Sequence, residues 1–209
     1  MKKILHIIAT PRGEESRTLR VSAAFLAVLR RKYPAAVVDE RNLFTEPLPD
    51  IIRQTVAGKY FIMGGKDVPA ELLPVWRQVE AEIERFKAAD AYVISTPMWN
   101  FAIPFVLKNY LDIIFQPRYL FRYTDHGPEG LVIGKKMAVI SSRGGDYGPD
   151  SPAQKMDNII PYLSTAFGFI GQKEIDFISA QPMDAGGPEI CAQQIAAASK
   201  KAEEVANSW

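Results

Sequence analysis

Short apolar runs and helical stripes alternate along this chain from end to end. Ile4 to Ala9 is apolar except for His6 and stops at Thr10-Pro11-Arg12-Gly13, so it predicts a buried strand feeding a loop. Ser16 follows as an N-cap, and Leu19, Ala23, Leu26, Leu29 and Tyr33 recur at the spacing of one helix face. Ala35 to Asp39 predicts the second strand. Trp76, Val79, Ile83 and Phe86 mark the next helix, with Pro74 in its first turn, where the missing N–H would be unpaired anyway.

The alternation continues with a third strand, Ala91 to Ser95, and a helix behind Pro104 carrying Ile103, Leu107, Tyr110 and Ile114. Met137 to Ser141 predicts the fourth strand, and Met156, Ile160, Leu163, Phe167 and Ile170 a further helix. Ile175 to Ile178 is the fifth strand, and Cys191, Ile195, Ala198, Ala202, Val205 and Trp209 form the last apolar stripe. Two stretches break the pattern. Residues 43–73, with Pro47, Pro49, Pro69, Gly58, Gly64 and Gly65, predict an irregular insertion. Residues 118–134 predict a hairpin-like excursion turning at Asp125-His126-Gly127-Pro128.

Strands alternating with helices imply an α/β domain, a doubly wound five-stranded parallel sheet with helices on both faces, spanning 1–209 as one unit. Composition narrows the setting. With 47% hydrophobic and 23% charged residues, the chain is not a disordered one. A net charge of +1 supplies no global field toward nucleic acid or anionic membrane, so neither is an expected partner and any anion site must be built locally. Cys191 is the single cysteine and cannot form an internal disulfide. The apolar run after Met1-Lys2-Lys3 is shorter than the roughly 7–15 residues of a secretory segment, and no stretch approaches the ~20 of a membrane span, so a cytoplasmic protein is expected.

In open parallel sheets ligands bind beyond the carboxyl ends of the strands. Three loops there carry chemistry. Thr10, Ser16 and Thr18 place hydroxyls around a helix N-terminus, with Arg17 among them, and the free N–H groups and dipole of such an end suit a phosphate. An ordinary capped loop is the plainer reading. Met98, Trp99 and Phe101 with Asn100 offer apolar faces and a polar edge to a flat heteroaromatic ring, against core packing as the alternative. Ser142-Arg143-Gly144-Gly145 would let backbone N–H groups approach a ligand, or simply make a tight turn. No G-x-G-x-x-G follows a strand, and Gly130 to Lys136 lacks both the spacing and the hydroxyl of a P-loop. Phosphate, ring and glycine approach together point to a mononucleotide, with a flavin favoured by the apolar loop.

Pro97-Met98-Trp99-Asn100-Phe101, continuing through Pro104 to Leu107-Lys108-Asn109-Tyr110-Leu111-Asp112, resembles the FMN-dependent NADH azoreductase/quinone reductase family. So do Phe121-Arg122-Tyr123-Thr124, Gly127-Pro128-Glu129-Gly130-Leu131, Ser142-Arg143-Gly144-Gly145, and Pro161-Tyr162-Leu163-Ser164 with Gly168-Phe169-Ile170-Gly171. The resemblance runs from the first strand to the last helix and is weakest over 43–73. It implies a flavodoxin-like sheet of order 2-1-3-4-5 and a homodimer with FMN at its interface. It assigns the phosphate to Thr10 and Ser16 to Thr18, the isoalloxazine to Met98–Phe101 and Ser142–Gly145, and Tyr123 to the substrate side, from either subunit. It also implies a ping-pong cycle in which NADH or NADPH reduces the flavin and a quinone or azo compound is reduced on the same face. The chemistry then belongs to the cofactor, and no protein nucleophile or base is expected.

Three departures stand out against that pattern. Thr10 replaces the usual serine, Arg17 adds a cation beside the phosphate, and Trp99 replaces the usual tyrosine and removes a hydroxyl. Other candidates are weaker: His6 reads as a packed core histidine, His126 as an exposed turn residue, and Cys191 as part of a helix stripe. A flavodoxin-like electron carrier is the competing function, although such carriers usually need a charged docking face. A flavin-free module using 43–73 as an interface is a third.

Overall fold

A computed structural model describes residues 1–209. In chain order its elements are β1 (Lys3–Ile8), α1 (Arg17–Lys32), β2 (Val37–Asn42), α2 (Arg53–Met63), α3 (Leu73–Lys87), β3 (Ala91–Pro97) and α4 (Phe105–Ile114). There follow β4 (Phe121–Thr124), β5 (Gly127–Gly130), β6 (Lys136–Ser142), α5 (Ile159–Phe169), β7 (Asp176–Ala180) and α6 (Gly187–Ser208). Five strands form one parallel sheet in the order β2-β1-β3-β6-β7, which is 2-1-3-4-5 counted along the sheet strands alone. The expected order holds. No helix is long and apolar enough to cross a membrane.

Strand alternation sends neighbouring side chains to opposite faces, and both faces are buried. Leu5, Ile7, Tyr92, Ile94, Met137 and Val139 pack with α3, α4 and α5. Ile4, Ala91, Val93, Ala138 and Ile140 pack with α1 and α6. The α6 stripe appears as the spacing predicts, with Ala198, Ala202 and Trp209 buried and Cys191 and Ile195 partly so.

Several boundaries differ from the sequence expectation, each for a local reason. On α1, Ala23 is exposed, and the buried face runs through Val21, Ser22, Phe25, Val28 and Leu29. Phe25 turns that face toward α6, its ring 4.9 Å from that of Trp209. Met156 is exposed in a short turn ahead of α5, so Ile159 and not Ile160 starts the buried stripe. The β2 strand lies at Val37–Asn42, later than Ala35 to Asp39, and β7 at Asp176–Ala180.

The insertion at 43–73 is more ordered than its composition suggests, because it contains α2. Gly58 looks like a helix breaker, yet a Cβ there would sit 2.6 Å from Trp76 Cε3, so the glycine is what lets α2 lie against α3. Ahead of α2 the chain is fixed by charge. Buried Arg41 donates to Glu82 at 2.7 Å and to the Glu46 and Pro47 carbonyls, while Arg85 joins Asp39 to Glu46. The Arg85 guanidinium holds the Asp39 carboxyl below its usual range. The excursion at 118–134 contains the antiparallel β4–β5 hairpin, turning through Asp125-His126. Its base is seated on the end of α5, where Val132 N donates to Ile170 O at 2.8 Å.

Candidate functional site

The carboxyl ends of β1, β3 and β6 converge on one cleft of about 230 Å³, as the topology requires. Thr10, Ser16, Arg17, Thr18, Met98, Trp99, Ser142, Arg143 and Gly144 all line it. Three loops far apart in sequence are thus one site.

The first loop builds the polar end. Ser16 is the N-cap of α1, its Oγ accepting from Leu19 N at 3.3 Å. Thr10 closes β1, and its Oγ1 accepts from Arg12 N at 3.4 Å. Thr18 Oγ1 and Ser142 Oγ lie 2.6 Å apart, tying the first turn of α1 to the end of β6. Thr10, Ser16 and Thr18 are buried and Ser142 partly so, while Arg12 and Arg17 flank the mouth. The amides of the α1 N-terminus lie among the hydroxyls, an arrangement whose free donors and dipole could hold a phosphate.

Behind this end runs a buried polar chain. His6 Nε2 lies 2.8 Å from Ser95 Oγ, Ser95 Oγ lies 2.6 Å from Ser22 Oγ, and Ser22 Oγ reaches Thr18 O at 3.0 Å. His6 therefore belongs to the core and touches the cleft only through α1. Burial pulls its imidazole down to about 4, against the opposing pull of Glu40.

The second loop is a tight reversal. Trp99 and Ala102 exchange two backbone hydrogen bonds, and Asn100 and Phe101 between them take φ of 47° and 70°. A bulky aromatic residue in the left-handed region is strained, and such strain gathers at functional sites. Asn158 N donates to Phe101 O at 3.0 Å and helps hold it. Asn100 and Phe101 do not line the cleft themselves; Phe101 is 42% exposed and meets the Tyr147 ring edge-on. The reversal carries both side chains beyond the wall that Met98 and Trp99 make.

The third loop is stitched to the 181–185 segment, with Arg143 N donating to Ala180 O and Gly144 O accepting from Asp184 N at 2.9 Å. Gly144 lines the cleft and Gly145 does not; a Cβ on Gly145 would meet only the Tyr147 ring, at 3.4 Å. The side chain of Arg143 points inward, where Nη1 donates to Asp157 Oδ2 at 2.8 Å. Its Nε and Nη2 are buried without a partner, and burial lowers its pKa.

Tyr123 lies on the β4 hairpin, 60% exposed with its ring against Phe121, and outside the cleft. His126 is exposed at the hairpin turn. No group of three or more His, Cys, Asp or Glu residues is placed to hold a metal. The cleft also uses residues that the sequence reading did not assign to it, Arg12, Pro97, Met183 and Asp184. Met183 and Asp184 follow the fifth sheet strand, so the strand-end rule itself was their available signal.

Comparison with known proteins agrees with this geometry. The family described as having a flavodoxin-like fold matches residues 2–206. An FMN-dependent NADH:quinone oxidoreductase of Nitratidesulfovibrio vulgaris strain Hildenborough is 37% identical over 206 residues, covering 99% of both chains. A protein of the same description from Aromatoleum aromaticum is 37% identical over 200 residues, covering 96% of this chain and 97% of its own. Among solved structures, an azoreductase from Bacillus anthracis str. Sterne superposes with a TM-score of 0.89 at 29% identity, covering both chains fully. An FMN-dependent NADH-azoreductase from Bacillus anthracis str. Ames Ancestor, in complex with FMN, gives a TM-score of 0.85 at 28% identity, covering 99% of this chain and 100% of that one. The chain belongs to the flavodoxin-like-fold family that includes these FMN-dependent quinone oxidoreductases and azoreductases.

Proposed function

We propose that this chain is an FMN-dependent NADH:quinone oxidoreductase with azoreductase activity. The observation that carries the reading is the single cleft in which a hydroxyl-lined helix N-terminus meets the Met98–Trp99 wall and the Gly144 backbone. Those parts match the two ends of a flavin mononucleotide, and the relatives named above are FMN-dependent.

Thr10, Ser16 and Thr18 would hold the phosphate with the α1 amides, and Arg17 would offset its charge. Met98, Trp99 and the 100–101 reversal would orient the ring, and the backbone of Ser142–Gly145 would reach its polar edge. When bound there, FMN would supply the two-electron redox chemistry that links NADH to a quinone or azo acceptor. Met98 and Trp99 would cover one side of the ring, and the other side would be left for the nicotinamide and the acceptor in turn. NADPH as a substitute reductant belongs to the same proposal.

A homodimer completes the reading. At about 230 Å³ the cleft is below the ~300–1,000 Å³ of a complete cofactor pocket, and a second copy would supply the missing wall at the ring end. Exposed Trp99, Phe101, Phe105 and Tyr123 are the apolar surface available to a second copy, whose Tyr123 would approach the flavin. The lone Cys191 fits a reducing, cytoplasmic setting.

Purified protein loaded with FMN is expected to bleach under anaerobic NADH and recolour when benzoquinone is added, with steady turnover of both. Bleaching without turnover of quinone or azo dye would instead mark an electron carrier, and protein that retains no FMN would overturn the flavin reading.

A further inference from the structure

The polar end of the flavin cleft has a neighbour. A second cleft, of about 390 Å³, extends past Pro188, Cys191 and Ile195 of α6 and has Arg20 on its α1 side. Its size is that of a small-molecule site. The two clefts share three lining residues, Arg17, Met183 and Asp184.

Two of the three form an ion pair where the clefts meet. Arg17 Nη1 donates to Asp184 Oδ1 at 2.5 Å, joining the first turn of α1 to the segment after β7. The side chains are 30% and 67% exposed, and a pair so open to water contributes little to the stability of the fold. Its seat is nevertheless built. Asp184 N donates to Gly144 O, and the carboxylate lies so close over Gly144 that a Cβ there would fall 2.8 Å from Oδ2. The flavin loop itself therefore positions the partition, and opening it breaks one solvent-exposed contact without disturbing the core.

We infer that the Arg17–Asp184 pair sets flavin choice. Closed, it ends the cleft just beyond the phosphate and admits a flavin that terminates in a monophosphate. Opened, it joins the two clefts, and the second phosphate and adenosine of a flavin dinucleotide extend across Arg20 along α6. The inference rests on placing the FMN phosphate at Thr10 and Ser16–Thr18, as proposed above.

Fluorescence titration of apoprotein with FMN and with FAD reads this directly. The wild type prefers FMN. Arg17→Ala and Asp184→Ala each shift the FMN-to-FAD ratio of dissociation constants toward FAD by about threefold to fivefold. Adding Arg20→Ala to Asp184→Ala reverses that gain. An unchanged ratio in Asp184→Ala overturns the partition, even where Arg17→Ala alone shifts it, because the guanidinium would then act without its partner. The premise is checked separately with Thr10→Ala/Ser16→Ala, which should weaken FMN at least tenfold. FMN affinity unchanged there overturns the phosphate placement and this inference together, whereas a weakened FMN with an unchanged flavin ratio overturns the inference alone.

Discussion

At the scale of single residues, the hydroxyls of Thr10, Ser16 and Thr18 were legible because helix N-caps and strand ends follow local rules. Asp184 was legible only as a residue beyond a strand end, and not its contact with Arg17, which spans 167 positions. His6 was readable as a core residue, but not its partners. Ser95 is on a different strand and Ser22 on a helix, and only the fold brings them into one chain of hydrogen bonds. That burial has a consequence in pH. The imidazole sits at about 4 in the folded protein against an ordinary 6.5, so below pH 6.5 the unfolded chain takes up a proton that the folded one refuses. Stability from this group is therefore intact above pH 6.5 and is lost as pH falls toward 4, by about 3 kcal/mol at most. Urea unfolding across that window should show the loss, and His6→Gln should remove that part of the slope. Parallel pH profiles for the two proteins would contradict the assignment.

At the scale of elements, short apolar runs located the sheet strands, whose central members are buried on both faces, and periodicity located α1, α3, α4, α5 and α6, each of which buries one face. It missed α2. That helix offers only Thr55, Gly58 and Ile62 to the interior, and its contact with α3 is made by the absence of a side chain at Gly58. Close approach of a bare glycine backbone to its neighbour leaves no hydrophobic signal to read. The same holds at the base of the β4–β5 hairpin, where a Cβ on Gly130 would fall 2.1 Å from Gly171 N and Ile170 C. Backbone cannot yield as a flexible side chain can, so Gly130→Ala should force the hairpin off the end of α5. The expected cost is at least the ~1–3 kcal/mol of an overpacked site. Thermal unfolding should show it as a lowered midpoint, with amide exchange raised first in residues 121–132. A variant as stable as the wild type would mean that the hairpin moves freely on its support.

At the scale of the whole molecule, the sheet is complete, and the proposed second copy would complete the site. Both sheet faces are covered by helices, so no open β surface remains to explain the exposed aromatic residues. Trp99, Phe101, Phe105 and Tyr123 are exposed by 38%, 42%, 70% and 60%, and Phe44 links the first and third of them through edge-on ring contacts. Trp99, which lines the cleft, and Phe105 are tied by Phe44 into exposed apolar surface beside it, and surface of that kind suits an interface. A symmetric pair would place that patch against its own copy, since a two-fold contact uses the same surface twice. Sedimentation equilibrium should therefore give twice the 23.3 kDa of one chain. Phe105→Glu should shift the population toward monomer, because it buries a charge in the contact. If the dimer closes the ring end of the cleft, FMN should bind more weakly as the monomer fraction rises, and Tyr123→Ala should slow quinone turnover while FMN stays bound. A wild-type protein that sediments as a monomer and still turns over quinone would place the whole active site within one chain.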